Sequence, residues 1–168
     1  MEHIEISFSR SRDEFARAYR KYLLVSKKIK KTNIALICIA FPVAAVYFFL
    51  SGFDPLSIVF LAFDGLAAGV LAYLYFMFPV RVFKKNVELA MENKITFTAA
   101  DFIVGIGAEQ RQLTWSEFPE VWESREAYLF MKSDEMFLLV PKRAFGGEKT
   151  LKAFGKMLAA NNRKTVKI

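Results

Sequence analysis

From Ile34 to Val80 the chain contains no Lys or Arg, and its only charges there are Asp54 and Asp64. A helix crosses a hydrocarbon core with about 20 apolar residues, within a usable range of roughly 17–25. Ile34–Leu50 offers 17 residues and Leu56–Val80 offers 25. In hydrocarbon the backbone must satisfy its own hydrogen bonds, so both segments are expected to be helices. Buried helices of a soluble protein show a polar face somewhere over such a length. These segments have none, and the expected arrangement is a transmembrane helical hairpin.

The connection Ser51-Gly52-Phe53-Asp54-Pro55 has turn chemistry, and Pro55 suits the first turn of the following helix. So short a link makes the two helices antiparallel neighbours. The net charge of +7 flanks the block. Lys27, Lys28, Lys30 and Lys31 precede it, and Arg81, Lys84 and Lys85 follow. The positive-inside rule puts both termini in the cytoplasm and the turn outside. More than 30 mostly polar residues come before the first apolar run, so no cleavable signal peptide is expected.

Within the second segment Gly65 and Gly69 form a Gly-x-x-x-Gly beside Ala67, Ala68 and Ala72. Small residues on one face let helices approach closely, either inside the hairpin or between copies of the chain. Asp64 is an acid inside a span and a candidate functional group by default. The single cysteine, Cys38, excludes an intramolecular disulfide and any cysteine-based metal site.

The flanks read differently. Residues 1–33 are expected to form a cytoplasmic strand and a basic amphipathic helix. Ile4, Ile6 and Phe8 alternate with Glu5, Ser7 and Ser9, a half-buried strand. Ser11 and Glu14 have capping-box spacing. Phe15, Tyr19, Tyr22, Leu23 and Ile29 then share a helical face, with Arg17, Arg20, Lys21 and the lysines beyond lying elsewhere on the helix. Residues 81–94 read as a helical stalk, with a Lys84–Glu88 pair one turn apart and Pro79 kinking the join.

Residues 95–168 change period. Strands are expected at Ile95–Thr98, Phe102–Ile106, around Leu113 and Trp115, and at Val121–Arg125, Tyr128–Lys132 and Met136–Val140. Leu151, Phe154 and Leu158 mark a closing helix. The expected fold class is membrane α+β: the hairpin plus a small, strongly bent antiparallel β domain capped by a C-terminal helix, with the N-terminal strand a candidate to join the sheet.

Ile95-Thr96-Phe97, Leu113-Thr114-Trp115-Ser116 with Phe118, Val121 with Glu123-Ser124 and Tyr128, and above all Val140-Pro141-Lys142-Arg143-Ala144-Phe145 carry a resemblance. The stretch Ile95–Asn161 resembles the C-terminal domain of the YcxB-like membrane proteins. The preceding strand, helix and two spans extend the likeness over nearly the whole chain. The resemblance implies a bacterial inner-membrane protein with a pleckstrin-homology-like (PH-like) cytoplasmic domain. It implies no activity.

Enzyme motifs are nearly absent. The sole histidine, His3, lies at the N-terminus, so no Ser/His/Asp or Cys/His constellation forms around a buried base. Gly105-x-Gly107 is explained by a turn or bulge. Glu117, Glu120, Glu123 and Glu126 read as a solvated face, and Trp115 and Trp122 as packing residues. Lys142 and Arg143 are the candidate ligand or lipid-headgroup contacts. No metal, cofactor or nucleic-acid partner is expected. The leading expectation is a non-enzymatic membrane protein that binds an anionic lipid headgroup or a protein through its β domain. The alternative is a homo-oligomeric transport- or channel-related protein built on the Gly65/Gly69 face and Asp64.

Overall fold

The computed structural model describes residues 3–51, 54–107, 109–132, 137–161 and 164–168. The chain divides into two compact units, residues 1–18 with 83–168, and residues 19–82. The elements begin with β1 (Ile4–Phe8), α1 (Arg12–Val25), α2 (Lys31–Ser51) and α3 (Pro55–Ala72). A π-helical turn at Tyr73–Met77 leads into α4 (Phe78–Lys85). Then follow β2 (Asn93–Phe97), β3 (Asp101–Ile106), β4 (Glu109–Thr114), β5 (Glu120–Glu123), β6 (Ala127–Met131), β7 (Phe137–Pro141), α5 (Glu148–Ala160) and β8 (Lys164–Lys167). The protein is thus α+β, with two sheets and two long apolar helices.

In the unit of residues 19–82, α2 and α3 pack together. Lys31–Ser51 and Pro55–Lys85 are each long and apolar enough to cross a membrane, and only 6% of each apolar window is buried. Phe49 is 82% and Leu66 68% exposed. Asp54 caps α3: its carboxylate accepts from Leu56 N at 3.1 Å, and Pro55 fills the first helical position. The central turn residues Gly52 and Phe53 lie outside the described residues.

Pro79 has no amide hydrogen, so the carbonyl of Tyr75 four residues earlier loses its helical partner. Arg20 supplies a replacement, donating from Nε to that carbonyl at 3.2 Å. The Arg20 guanidinium also lies 5.6 Å and 5.4 Å from the ring centres of Tyr75 and Phe76. The expected kink is therefore a π turn held by an arginine on another helix.

In the other unit, β1-β2-β3-β4 form one antiparallel sheet, and β7-β6-β5-β8 form a second in which β8 runs parallel to β5. The N-terminal strand does join, pairing Ile4 with Phe97 and Phe8 with Asn93. Its alternation explains this, because Ile4, Ile6 and Phe8 are buried while Glu5 and Ser7 are exposed. The 3-10 turn Trp115–Glu117, capped reciprocally by Thr114 and Glu117, separates the two sheets. Phe97 sits fully buried in the core, its ring centre 4.8 Å from Phe154 and 5.4 Å from Phe102. Phe154 and Leu158 of α5 complete that core.

Four expectations are corrected. The bent sheet is two four-stranded sheets, and the chain continues past α5 into an eighth strand. The stalk helix stops at Lys85, because Asn86 leaves the helical region at φ −110°, ψ 88°. Lys84 and Glu88 are therefore not neighbours on one helix. Helix α1 ends at Val25 ahead of Lys27 at φ +57°, so Ile29 is buried from a turn rather than from the helix. The expected first residue of the last strand, Met136, and the link 133–135 lie outside the described residues, as does Ala108.

Candidate functional site

The β-containing unit holds a cleft of about 570 Å³. It lies where the two sheets present their edge strands, β4 and β7. Val104 and Ile106 of β3, Leu113 of β4, Phe118, and Phe137 and Leu138 of β7 give it an apolar lining, and Met91 joins from the segment before β2. Glu88, Glu109, Arg111 and Lys132 add the charge. Three of these are already paired: Arg111 with Glu109 at 3.1 Å, and Lys132 with Glu117 at 2.6 Å. The Lys132 hydrogen bond, aided by the Thr114 backbone, holds the Glu117 carboxyl below its ordinary range. The cleft therefore offers an apolar surface with mostly paired charge at its margin, suited to an apolar group.

Lys142 and Arg143 lie in a 3-10 turn after β7, and both are engaged inside the unit. Lys142 donates to Glu123 at 2.6 Å and sits 4.9 Å from the Tyr128 ring centre. Burial, reinforced by Glu123, pushes the Tyr128 hydroxyl up to about 12. Arg143 grips Glu14 with two bonds, 2.7 Å and 3.0 Å, and donates to the Ser9 carbonyl at 2.6 Å. Glu14 and Ser11 form the expected capping box, with bonds of 3.0 Å and 3.2 Å. The Arg143 hydrogen bond, with Ser11, holds the Glu14 carboxyl down at about 2 against a smaller opposing effect of burial. This motif thus fastens the junction of β1 and α1 to the turn after β7.

The four spaced acids are tied down as well. Besides Glu117 and Glu123, Glu120 pairs with Lys164 at 2.8 Å and Glu126 with Arg17 at 3.1 Å. Trp115 and Trp122 are buried, and Trp115 donates to the Thr98 carbonyl at 3.1 Å. Gly105 lies within β3, and Gly107 turns the chain at φ +60°. His3 is exposed just before β1. Among the described residues no three His, Cys, Asp or Glu side chains converge as a metal site would require.

Residues 97–158 match the family model described as YcxB-like protein. Over that stretch the chain is similar to the YcxB-like family. The YcxB-like stretch begins in β2 and ends in α5, so it holds the whole Val140–Phe145 motif and most of the cleft lining. Its match leaves out β1 and Glu14, which Arg143 grips. Neither curated proteins nor solved structures gave a match.

Outside the YcxB-like stretch, a Cβ placed on Gly65 would stand 4.0 Å from the Phe41 ring, whereas one on Gly69 would meet open space. The glycine pair is thus divided between the hairpin's interior and its surface. Asp64 is half-buried. An open apolar groove of about 460 Å³ runs between the helices, lined by Asn33, Leu36 and Ile37 on α2 and by Phe63, Leu66, Ala67, Val70 and Leu71 on α3.

Sequence reasoning did not single out the cleft. Its apolar residues read individually as ordinary core, and only the placement of β4 and β7 as sheet edges leaves them open. It also did not foresee Arg10, which is 6% exposed and donates to the Leu139 carbonyl at 2.9 Å. Burial holds its guanidinium down at about 10. Arg10 follows directly on the alternating strand, and that is the one signal the sequence carries.

Proposed function

We propose that the chain is a non-enzymatic, multi-pass protein of the bacterial plasma membrane, with both termini cytoplasmic. Its PH-like α+β unit holds a ligand by an apolar group in the cleft between β4 and β7. The observation that carries the reading is the cleft itself, about 570 Å³ with an apolar lining and paired charges. Membrane insertion is supported by two apolar helices whose sides are left uncovered, flanked by basic residues. A shared side for both termini is supported by connectivity. β1 and β2 pair in one unit, so the chain leaves that unit before the hairpin and re-enters it after. The PH-like description rests on two small sheets about one aromatic core, with a helix packed on it near the C-terminus.

The test is photo-crosslinking in intact cells, with benzoylphenylalanine at Leu113 in the cleft and at Glu5 on exposed β1 as control. A discrete protein or lipid adduct from position 113, identified by mass spectrometry and absent from position 5, supports the reading. Equal or no adducts from both positions overturn it. A reporter fusion placing the C-terminus outside the cell refutes the orientation.

A further inference from the structure

After the second apolar helix, the positive charge of this protein is concentrated toward the last residues. Residues 148–168 carry six Lys and Arg against one Glu, whereas residues 81–147 carry nine against ten acids. Helix α5 gives that charge a direction. Leu151, Phe154 and Leu158 face the core, the last two buried. Lys149, Lys152 and Lys156 are all exposed. At about 100° per residue these three lysines fall within roughly 60° of one another, on the side opposite the core residues. Lys149 and Lys156 form no ion pair among the described residues, and the pair of Lys152 with Glu148, at 2.9 Å, lies in open solvent. Lys167 of β8 is also exposed and unpaired among the described residues.

A helix that has spent its apolar face on its own core has nothing left to insert into a bilayer. What it presents outward is a row of ammonium groups, and these suit a dense anionic surface. We infer that the Lys149/Lys152/Lys156 stripe of α5 docks electrostatically on anionic phospholipid headgroups. The inference rests on the membrane-anchored reading above and gives that unit a second contact, separate from the cleft. Each lysine near such a surface contributes about fivefold in partitioning, and the effect fades over a Debye length of about 10 Å at 0.1 M salt.

The test uses the full chain in nanodiscs of phosphatidylcholine, mixed with separate vesicles of phosphatidylcholine alone or rich in phosphatidylserine. Capture by the phosphatidylserine vesicles, loss of capture at high salt, and roughly 25-fold weaker capture of Lys149→Gln/Lys156→Gln are expected. Both lysines are exposed and turned from the core, so the double variant keeps the parent's thermal midpoint. That control separates loss of contact from loss of fold. Equal capture by both vesicle types, or an unchanged double variant, overturns the proposal. So does a single-stranded oligonucleotide that binds at lower concentration than the vesicles and loses binding in the same variant. A chain that never enters the nanodiscs overturns the membrane reading beneath it, a distinguishable failure.

Discussion

Arg143 joins parts of the chain 129 residues apart through two hydrogen bonds donated to Glu14. Solvent reaches the guanidinium, so the pair is worth less than its geometry suggests, and Arg143→Ala is expected to cost about 1 kcal/mol. Thermal unfolding of the full chain in detergent measures it. Glu14 adds a pH dependence. Its folded pKa of about 2 lies below the unfolded value, so its contribution is complete above the ordinary carboxylate range. It is lost as pH falls through that range toward 2. Glu14→Gln should flatten this part of the stability profile, and an unchanged profile would show that the pair contributes nothing. Phe97 operates by a different force. Fully buried among aromatic rings, it should cost about 3–5 kcal/mol when replaced by Ala. The sequence made Lys142 and Arg143 conspicuous but gave no hint of their use. An ion pair's partner is a fact of three dimensions, and Glu14 lies on the far side of the hairpin in sequence.

Among the elements, the π turn before Pro79 makes a claim of its own. A proline in a helix frees a carbonyl, and that carbonyl must find a donor or bear the cost of being left without one. Arg20 is the donor here. Arg20→Met should therefore destabilise the helical unit, and Pro79→Ala, which restores an amide hydrogen for Tyr75, should relieve part of that loss. A double-mutant cycle should return a coupling of about 1 kcal/mol, and additivity would refute the link. Gly65 and Gly69 separate in the same way. Leu at 65 extends a side chain beside the Phe41 ring, which already lies 4.0 Å from a Cβ there, while Leu at 69 enters open space, so the first should loosen the hairpin more in a protease-protection assay. The Gly-x-x-x-Gly spacing was plain in the sequence. Which glycine faces inward was not, because that depends on the rotation of α3 against α2.

At the scale of the whole molecule, one compact unit is built from both ends of the chain, with residues 19–82 interposed between β1 and β2. Deleting residues 1–10 should uncover the edge of β2 and deprive Arg143 of the Ser9 carbonyl. The C-terminal unit would then become protease-sensitive although every YcxB-like residue is present. The sequence by itself determined the features that follow from local pattern. These are the two apolar helices, the alternating β1, the capping box at Ser11 and Glu14, most strand positions, and the family that residues 97–158 resemble. Only the tertiary structure decided what depends on distant pairing. It paired β1 with β2, split the strands into two sheets, set β8 parallel to β5, and opened a cleft between two edges. Hydrophobic period and turn chemistry are properties of neighbours along a chain. Sheet order, ion-pair partners and cavities arise between residues that the sequence keeps far apart.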